Sequence, residues 1–291
     1  MANGVTYAVY GESPYLTLPE FKNAPTALSI ATLVPGGTQG QQDAELTNLI
    51  NRASSLMDEF LNQSLVAQIN VEALRARVSN QGFFTIHPKN DPVNAVTAFS
   101  YGGTPTSLIS LSDCSGIWFE PQQITVPLGS SMSTSAGPLQ FGGGVPGQQA
   151  FIKLTYDSGY TETLCSGTAT QSTVTVLTNA GITPGSTYKI FDGANTETVT
   201  VTSSFVYGSS LVIPLTAPLA FTHTSVSFSG MPQIVKDCCI AVTSALLRRR
   251  GDAANAMVSG SRPGPVSTTK KVFSDPVAQA LDSIDSYRRI R

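Results

Sequence analysis

Apolar residues recur at helical spacing in two long stretches. Leu46, Leu49, Ile50, Ala53, Leu56, Met57, Phe60 and Leu61 form an unbroken stripe, with Asp43 and Glu45 near its start. They predict a helix over 42–62. In 231–250, Ile234, Cys238, Ala241 and Ala245 share one face, flanked by Val235, Cys239, Val242 and Leu246. Pro232 suits the first turn of a helix, and Arg248, Arg249 and Arg250 fall in the last turn before Gly251. A stripe this broad has to be buried against something. A short helix is expected after Thr17, with Pro19 in its first turn and Glu20 where a capping box needs a carboxylate. A last helix is expected after Asp275, with Pro276 first and Val277, Ala280, Leu281 and Ile284 as its stripe.

Between the helical stretches the period shortens to two. Residues 82–88, 93–101, 118–121, 123–127 and 150–156 read as strands. The Thr/Val-rich run 166–230 alternates in short segments broken by Pro184-Gly185, Asp192-Gly193 and Tyr207-Gly208, which suggests a small barrel or sandwich. The expected fold class is therefore α+β. A helical-bundle core with a small sheet or hairpin region would span 1–165 and 231–291, and an all-β module would be inserted at 166–230. Residues 129–147 and 258–269 are rich in Gly, Ser and Pro and read as a loop and a linker.

Charge narrows the function classes. Only 12% of residues are charged and the net charge is -2, so neither a basic nor an acidic surface marks the whole chain as a nucleic-acid or membrane-surface binder. The N-terminal stretch has no charged and then apolar pattern of a secretory signal, and no apolar run is long enough to span a bilayer. Cys114, Cys165, Cys238 and Cys239 read as small buried hydrophobes made in a reducing compartment, because helix neighbours such as Cys238 and Cys239 point apart.

Candidate chemistry is thin. Gly142-Gly-Gly144-Val-Pro-Gly147 matches G-x-G-x-x-G, but a strand is expected after it rather than a helix, and Pro146 removes an amide; a loop is the better account. His87 and His223 have no Cys, His or carboxylate at ligand spacing. Asp157 with Tyr160 could be imagined as an acid–base pair, and reads better as a strand-ending turn with a buried tyrosine. Asn62-Gln-Ser64 matches a glycosylation sequon, in a chain without a visible secretion signal. No catalytic residue, cofactor or metal is expected, and no enzymatic activity. The arginine tips, Arg248, Arg249 and Arg250 with Arg288, Arg289 and Arg291, suit phosphate contact without base readout, or simply the ends of helix dipoles.

Taken in order, these segments resemble the head–tail adaptor (connector) proteins of tailed bacteriophages. The resemblance rests on Tyr15-Leu-Thr-Leu-Pro-Glu-Phe-Lys22, on Leu49-Ile-Asn-Arg-Ala-Ser54 with Met57-Asp58, and on the strands Phe84–Pro88 and Asp91–Val96. It continues through Tyr156-Asp-Ser-Gly-Tyr160, the Pro-led segment Met231–Cys239 and Tyr287-Arg288. The 166–230 module departs from it, since family members usually have a short loop there. The resemblance implies a structural virion protein made in the host cytoplasm and placed at the neck. It would form a homo-oligomeric ring, commonly a dodecamer, beneath the portal protein, receive tail completion, terminator or stopper proteins on its other face, and let double-stranded DNA pass. It also implies a subunit and portal interface on the apolar positions Ile234, Val235, Val242, Leu246, Leu281, Ile284 and Tyr287. The alternative is a virion-associated binding protein whose module recognises a carbohydrate or other surface through Tyr188, Phe191, Phe205 and Tyr207.

Overall fold

A computed structural model describes residues 14–26, 28–31, 33–79, 83–127, 149–208, 210–251 and 276–288. Four helices occur among them: α1 (Leu18–Asn23), α2 (Gln39–Leu61), α3 (Gln233–Gly251) and α4 (Pro276–Asp282). In α1 the capping-box expectation is met, because Glu20 Oε2 accepts the N–H of Thr17 at 3.0 Å. Asn62 ends α2 in the left-handed region at φ 57°, a conformation asparagine tolerates. The carbonyl of Pro232 accepts the first bond of α3, from Val235. Leu46, Ile50, Ala53, Met57 and Leu61 of α2 pack with Val235, Cys239 and Val242 of α3 and Val277 of α4 in one apolar core.

Strand outweighs helix, and this overturns the expected helical-bundle core with a small sheet. The helices build one of three cores; the other two lie between or within sheets. A four-stranded antiparallel sheet runs β1 (Gln68–Arg77), β7 (Gln149–Ser158), β3 (Val93–Thr104), β4 (Ser107–Ser110). A three-stranded sheet runs β2 (Phe83–Ile86), β6 (Gln123–Pro127), β5 (Trp118–Glu120). Their facing sides share a core in which Phe84 lies 6.3 Å from Phe99 and 6.2 Å from Tyr101, ring centre to ring centre. The physical reason for the correction lies mainly in β1. Its sequence, QINVEALRAR, is rich in helix formers, yet it pairs with β7 along its whole length, from Gln68–Ser158 to Arg77–Gln149. Pairing and burial outrank a propensity difference of about 1 kcal/mol or less per residue.

The third sheet has six strands in the order β11 (Glu197–Thr200), β10 (Thr187–Phe191), β13 (His223–Ser229), β8 (Glu162–Gly167), β9 (Thr173–Val176), β12 (Val212–Pro214). Its two edges meet. Val201 bridges Leu215, Thr202 donates to the carbonyl of Pro214 at 3.0 Å and Thr216 to that of Thr200 at 2.9 Å. The sheet thus closes into a barrel around Val174, Ile190, Val201, Ile213 and Phe228. The chain enters and leaves it at one point, where Gly230 donates to the carbonyl of Thr161 at 2.9 Å.

Candidate functional site

Two seams hold the barrel to the rest of the chain, and each is built on a buried carboxyl group. At the first, Lys236 of α3 reaches both Glu20 of α1 and Glu162 at the start of β8, the latter at 3.0 Å. All three are nearly excluded from solvent. The second Glu162 oxygen accepts from Ser227 Oγ at 2.9 Å. Two carboxylates face one ammonium, so the fully ionised triad carries a net negative charge out of water. Burial pushes the Glu162 carboxyl up to about 7 against the pull of Lys236, with the Glu20 charge adding to the rise. Burial alone would lower Lys236, but the two carboxylates outweigh it and hold the ammonium above its ordinary value.

At the second seam Asp157, at the end of β7, accepts the N–H of Gly181 at 2.6 Å and a hydrogen bond from the Tyr207 hydroxyl. Burial pushes this carboxyl up to about 6, and its Oδ1 has no hydrogen-bond partner. Burial and the Asp157 charge in turn push the Tyr207 hydroxyl up. Two glycines permit the close approach here. A side chain on Gly159 (φ +100°) would lie 2.6 Å from the carbonyl oxygen of Val66, and one on Gly181 (φ +74°) 2.6 Å from Ala67 Cβ. The imagined Asp157–Tyr160 pair is not brought together as such. Asp157 turns to the barrel, while the Tyr160 ring meets Tyr287 edge-on at 6.5 Å.

Inside the barrel, His223 is buried between Asp192, 3.0 Å from Nδ1, and Glu197, 2.7 Å from Nε2. Each ring nitrogen thus faces one carboxyl group. Burial opposes ionisation of Glu197, but the N–H groups of Ala220 and Phe221 and the His223 ring outweigh it and hold its carboxyl below the ordinary value. The sequence hid this cluster because its members lie 26 and 31 positions from the histidine. Among the described residues, no group of three or more His, Cys, Asp or Glu side chains is arranged to hold a metal ion. The Cys165 and Cys239 thiols are pushed up to about 12 by burial, and Cys238 to about 11.

Two clefts open beside these features. One, of about 330 Å³, runs between α1, α3 and the barrel and is lined by Leu16, Glu20, Phe191, Met231, Lys236 and Ile240 among others. The other, of about 560 Å³, is bordered by His87, Asp91, Pro121, Tyr160, Tyr287 and Arg288. Gln63 ties that second region together, donating to Asp91 Oδ1 and to the Tyr287 carbonyl, each at 2.9 Å.

Of the residues expected at a subunit interface, Val235, Val242 and Ile284 lie in the chain's own helical core, and Leu246, Leu281 and Tyr287 pack against it half-buried. Ile234 is exposed. Arg248 is exposed at the end of α3. Arg288 stacks its guanidinium over Phe60 at 5.2 Å, near Asp285 at 3.8 Å. The side chains of Arg249, Arg250, Arg289 and Arg291, and the G-x-G-x-x-G match at 142–147, lie outside the described residues. Of the four aromatic residues considered for a carbohydrate platform, Tyr188 and Phe205 are buried, with Tyr188 stacked on Phe228 at 4.9 Å. Phe191 and Tyr207 are half-buried.

Exposed apolar side chains concentrate elsewhere. Trp118 and Phe119 stand on β5, the outer strand of the three-stranded sheet, at 63% and 42% exposure. Leu56 and Ile234 lie on the outer sides of α2 and α3. On the barrel, Val212 lies opposite Thr175 on the β12–β9 pair, next to exposed Leu177 and Leu211.

No protein-family model matches the chain, and no curated protein matches it. Among solved structures the chain is similar to one from the neck of an empty GTA particle computed with C6 symmetry. The identity is 12% and the TM-score 0.41, over 100% of this chain and 97% of that one. No helix among the described residues is long and apolar enough to cross a membrane.

Proposed function

We propose that this chain is a structural protein of a virion neck, an adaptor that forms a closed ring beneath the portal and joins capsid to tail. The observation that carries the reading is the pair of unlike apolar faces on the body of the molecule. One is the outer β5 strand with Trp118 and Phe119; the other is helical, with Leu56 exposed on α2 and Ile234 exposed on α3. A ring of identical subunits uses a heterologous contact, in which two different faces of the same chain meet. The order of segments from Tyr15–Lys22 to Tyr287-Arg288, which resembles the adaptor family, supports the same reading. The buried His223 cluster, closed on Asp192 and Glu197 of the same barrel, suits a stiff module. In this reading the portal and the tail completion proteins meet opposite faces of the ring, DNA passes through its lumen, and Arg248, exposed at the end of α3, meets phosphate.

Light scattering over a concentration series, with negative-stain imaging, tests this. A closed ring whose central hole matches a DNA duplex is the expected outcome, formed by the chain alone or on adding portal protein. A chain that stays monomeric with portal protein present would overturn it. Replacing 162–229 by a short Gly-Ser linker between the adjacent residues Thr161 and Gly230 should leave ring formation intact. It also leaves Lys236 with Glu20 as a one-to-one pair.

A further inference from the structure

Both attachments of the barrel have the same unusual construction. At one, a single ammonium, Lys236, is shared by two buried carboxyl groups, Glu20 and Glu162, that come from different elements. At the other, Asp157 has no cation beside it among the described residues: the residues opposite it on β1 and β3 are Ile69 and Ala95, and its partners are the amides of Gly181 and Ser158 and the phenol of Tyr207. Charge counting alone makes each seam one negative charge too rich when fully ionised. The groups facing Glu162 are Glu20 from α1, Lys236 and Cys239 from α3, and the hydroxyls of Ser227 and Ser229 from β13. None of these supplies a second positive charge. A rigid internal joint does not need this arrangement, since one carboxylate per ammonium would close it.

We propose that the two seams act together as a proton-operated latch, in which uptake of a proton at each tightens the barrel against the body and loss of it loosens the barrel. The direction follows from linkage. The ordinary values of these carboxyl groups are 3.8 for Asp157 and 4.5 for Glu162, and docking raises them to about 6 and about 7. Between the low and the high values the docked form holds protons that the undocked form releases. Docking therefore weakens as pH rises through that window, and the weakening is complete above about pH 7. Because the chain crosses the seam only at Thr161 and Gly230, the barrel can tilt there without unfolding.

Hydrogen exchange on the full chain, corrected for the intrinsic pH dependence, reads the latch directly. The amide of Gly181 crosses one seam to Asp157 and that of Met231 crosses the other to Ser229 Oγ; those of Ile190 and Val242 report the barrel and helical cores. The expected result is seam opening at least about ten-fold more frequent at pH 8 than at pH 5, with core amides unchanged. The double variant Asp157→Asn, Glu162→Gln should lose that dependence. Equal seam protection at both pH values, a uniform change at all four amides, or a pH response kept by the double variant would each overturn the latch. Should the double variant fail to fold, a carbon-13 titration of the native side-chain carboxyl groups decides. Titration of both groups near their ordinary values overturns the proposal, and titration near 6 and 7 sustains it.

Discussion

The barrel and the open sheets solve the same edge problem in opposite ways. In the barrel, the Val201–Leu215 bridge and its flanking bonds join the first and last strands, so every strand has two neighbours. In the body, β4 and β5 each have a neighbour on one side only, and β5 has all three of its residues exposed. An unpaired strand edge is a template for another chain, and soluble proteins usually blunt it with charge or proline. Here Glu120 and Pro121 follow the aromatic pair, but Trp118 and Phe119 themselves are left open. The difference separates two kinds of exposed surface: in the body Trp118 and Phe119 stand on an open strand edge, whereas on the barrel Leu177, Val206, Leu211, Val212 and Phe221 are exposed with the strands closed on each other.

The largest effects are expected where the two regions are joined. Lys236→Ala leaves two buried carboxyl groups without a cation, and should cost about 3–5 kcal/mol in chemical denaturation. In the chain lacking 162–229 the same substitution strands only Glu20 and should cost clearly less. Equal costs in the two chains would mean that the triad does not couple barrel to body. Next in size is Gly159→Ala, which puts a methyl group against the Val66 carbonyl in a backbone region that alanine rarely adopts. A loss of about 1–3 kcal/mol is expected, read as a lower Tm.

The helices and most strands were legible because their period is written in consecutive residues. Leu46 to Leu61 and the 93–101 alternation needed no partner to be read. The strand β1 was not, since Glu72, Ala73, Leu74 and Arg75 favour helix locally and only β7, some eighty residues on, makes them a strand. The seams were illegible for the same reason. In sequence Glu20 reads as a capping residue, which it is through one oxygen, while its other oxygen meets a lysine 216 positions away. Tyr160 and Tyr207 look alike in sequence as aromatics near turns; burial beside Asp157 distinguishes only the second. The interface positions that the resemblance implies are apolar residues at helical spacing, and periodicity alone does not say whether a stripe meets its own chain or a neighbour. Val235, Val242 and Ile284 lie in the chain's own helical core.

The smallest effect on folding should come from the change with the largest effect on assembly. Trp118 is exposed on an outer strand and its ring meets only that of Phe83, at 6.0 Å, among the aromatic contacts described for it. Trp118→Asp should therefore change stability by no more than about 0.5 kcal/mol. The same substitution places a charge on the edge that a neighbour has to cover, so rings seen by light scattering should be lost. Val212→Asp is the matched control, at 47% exposure on the closed barrel. It should leave both stability and ring mass unchanged. Loss of rings in the Val212 variant, with rings retained in the Trp118 variant, would reverse the assignment and make the barrel the assembling surface.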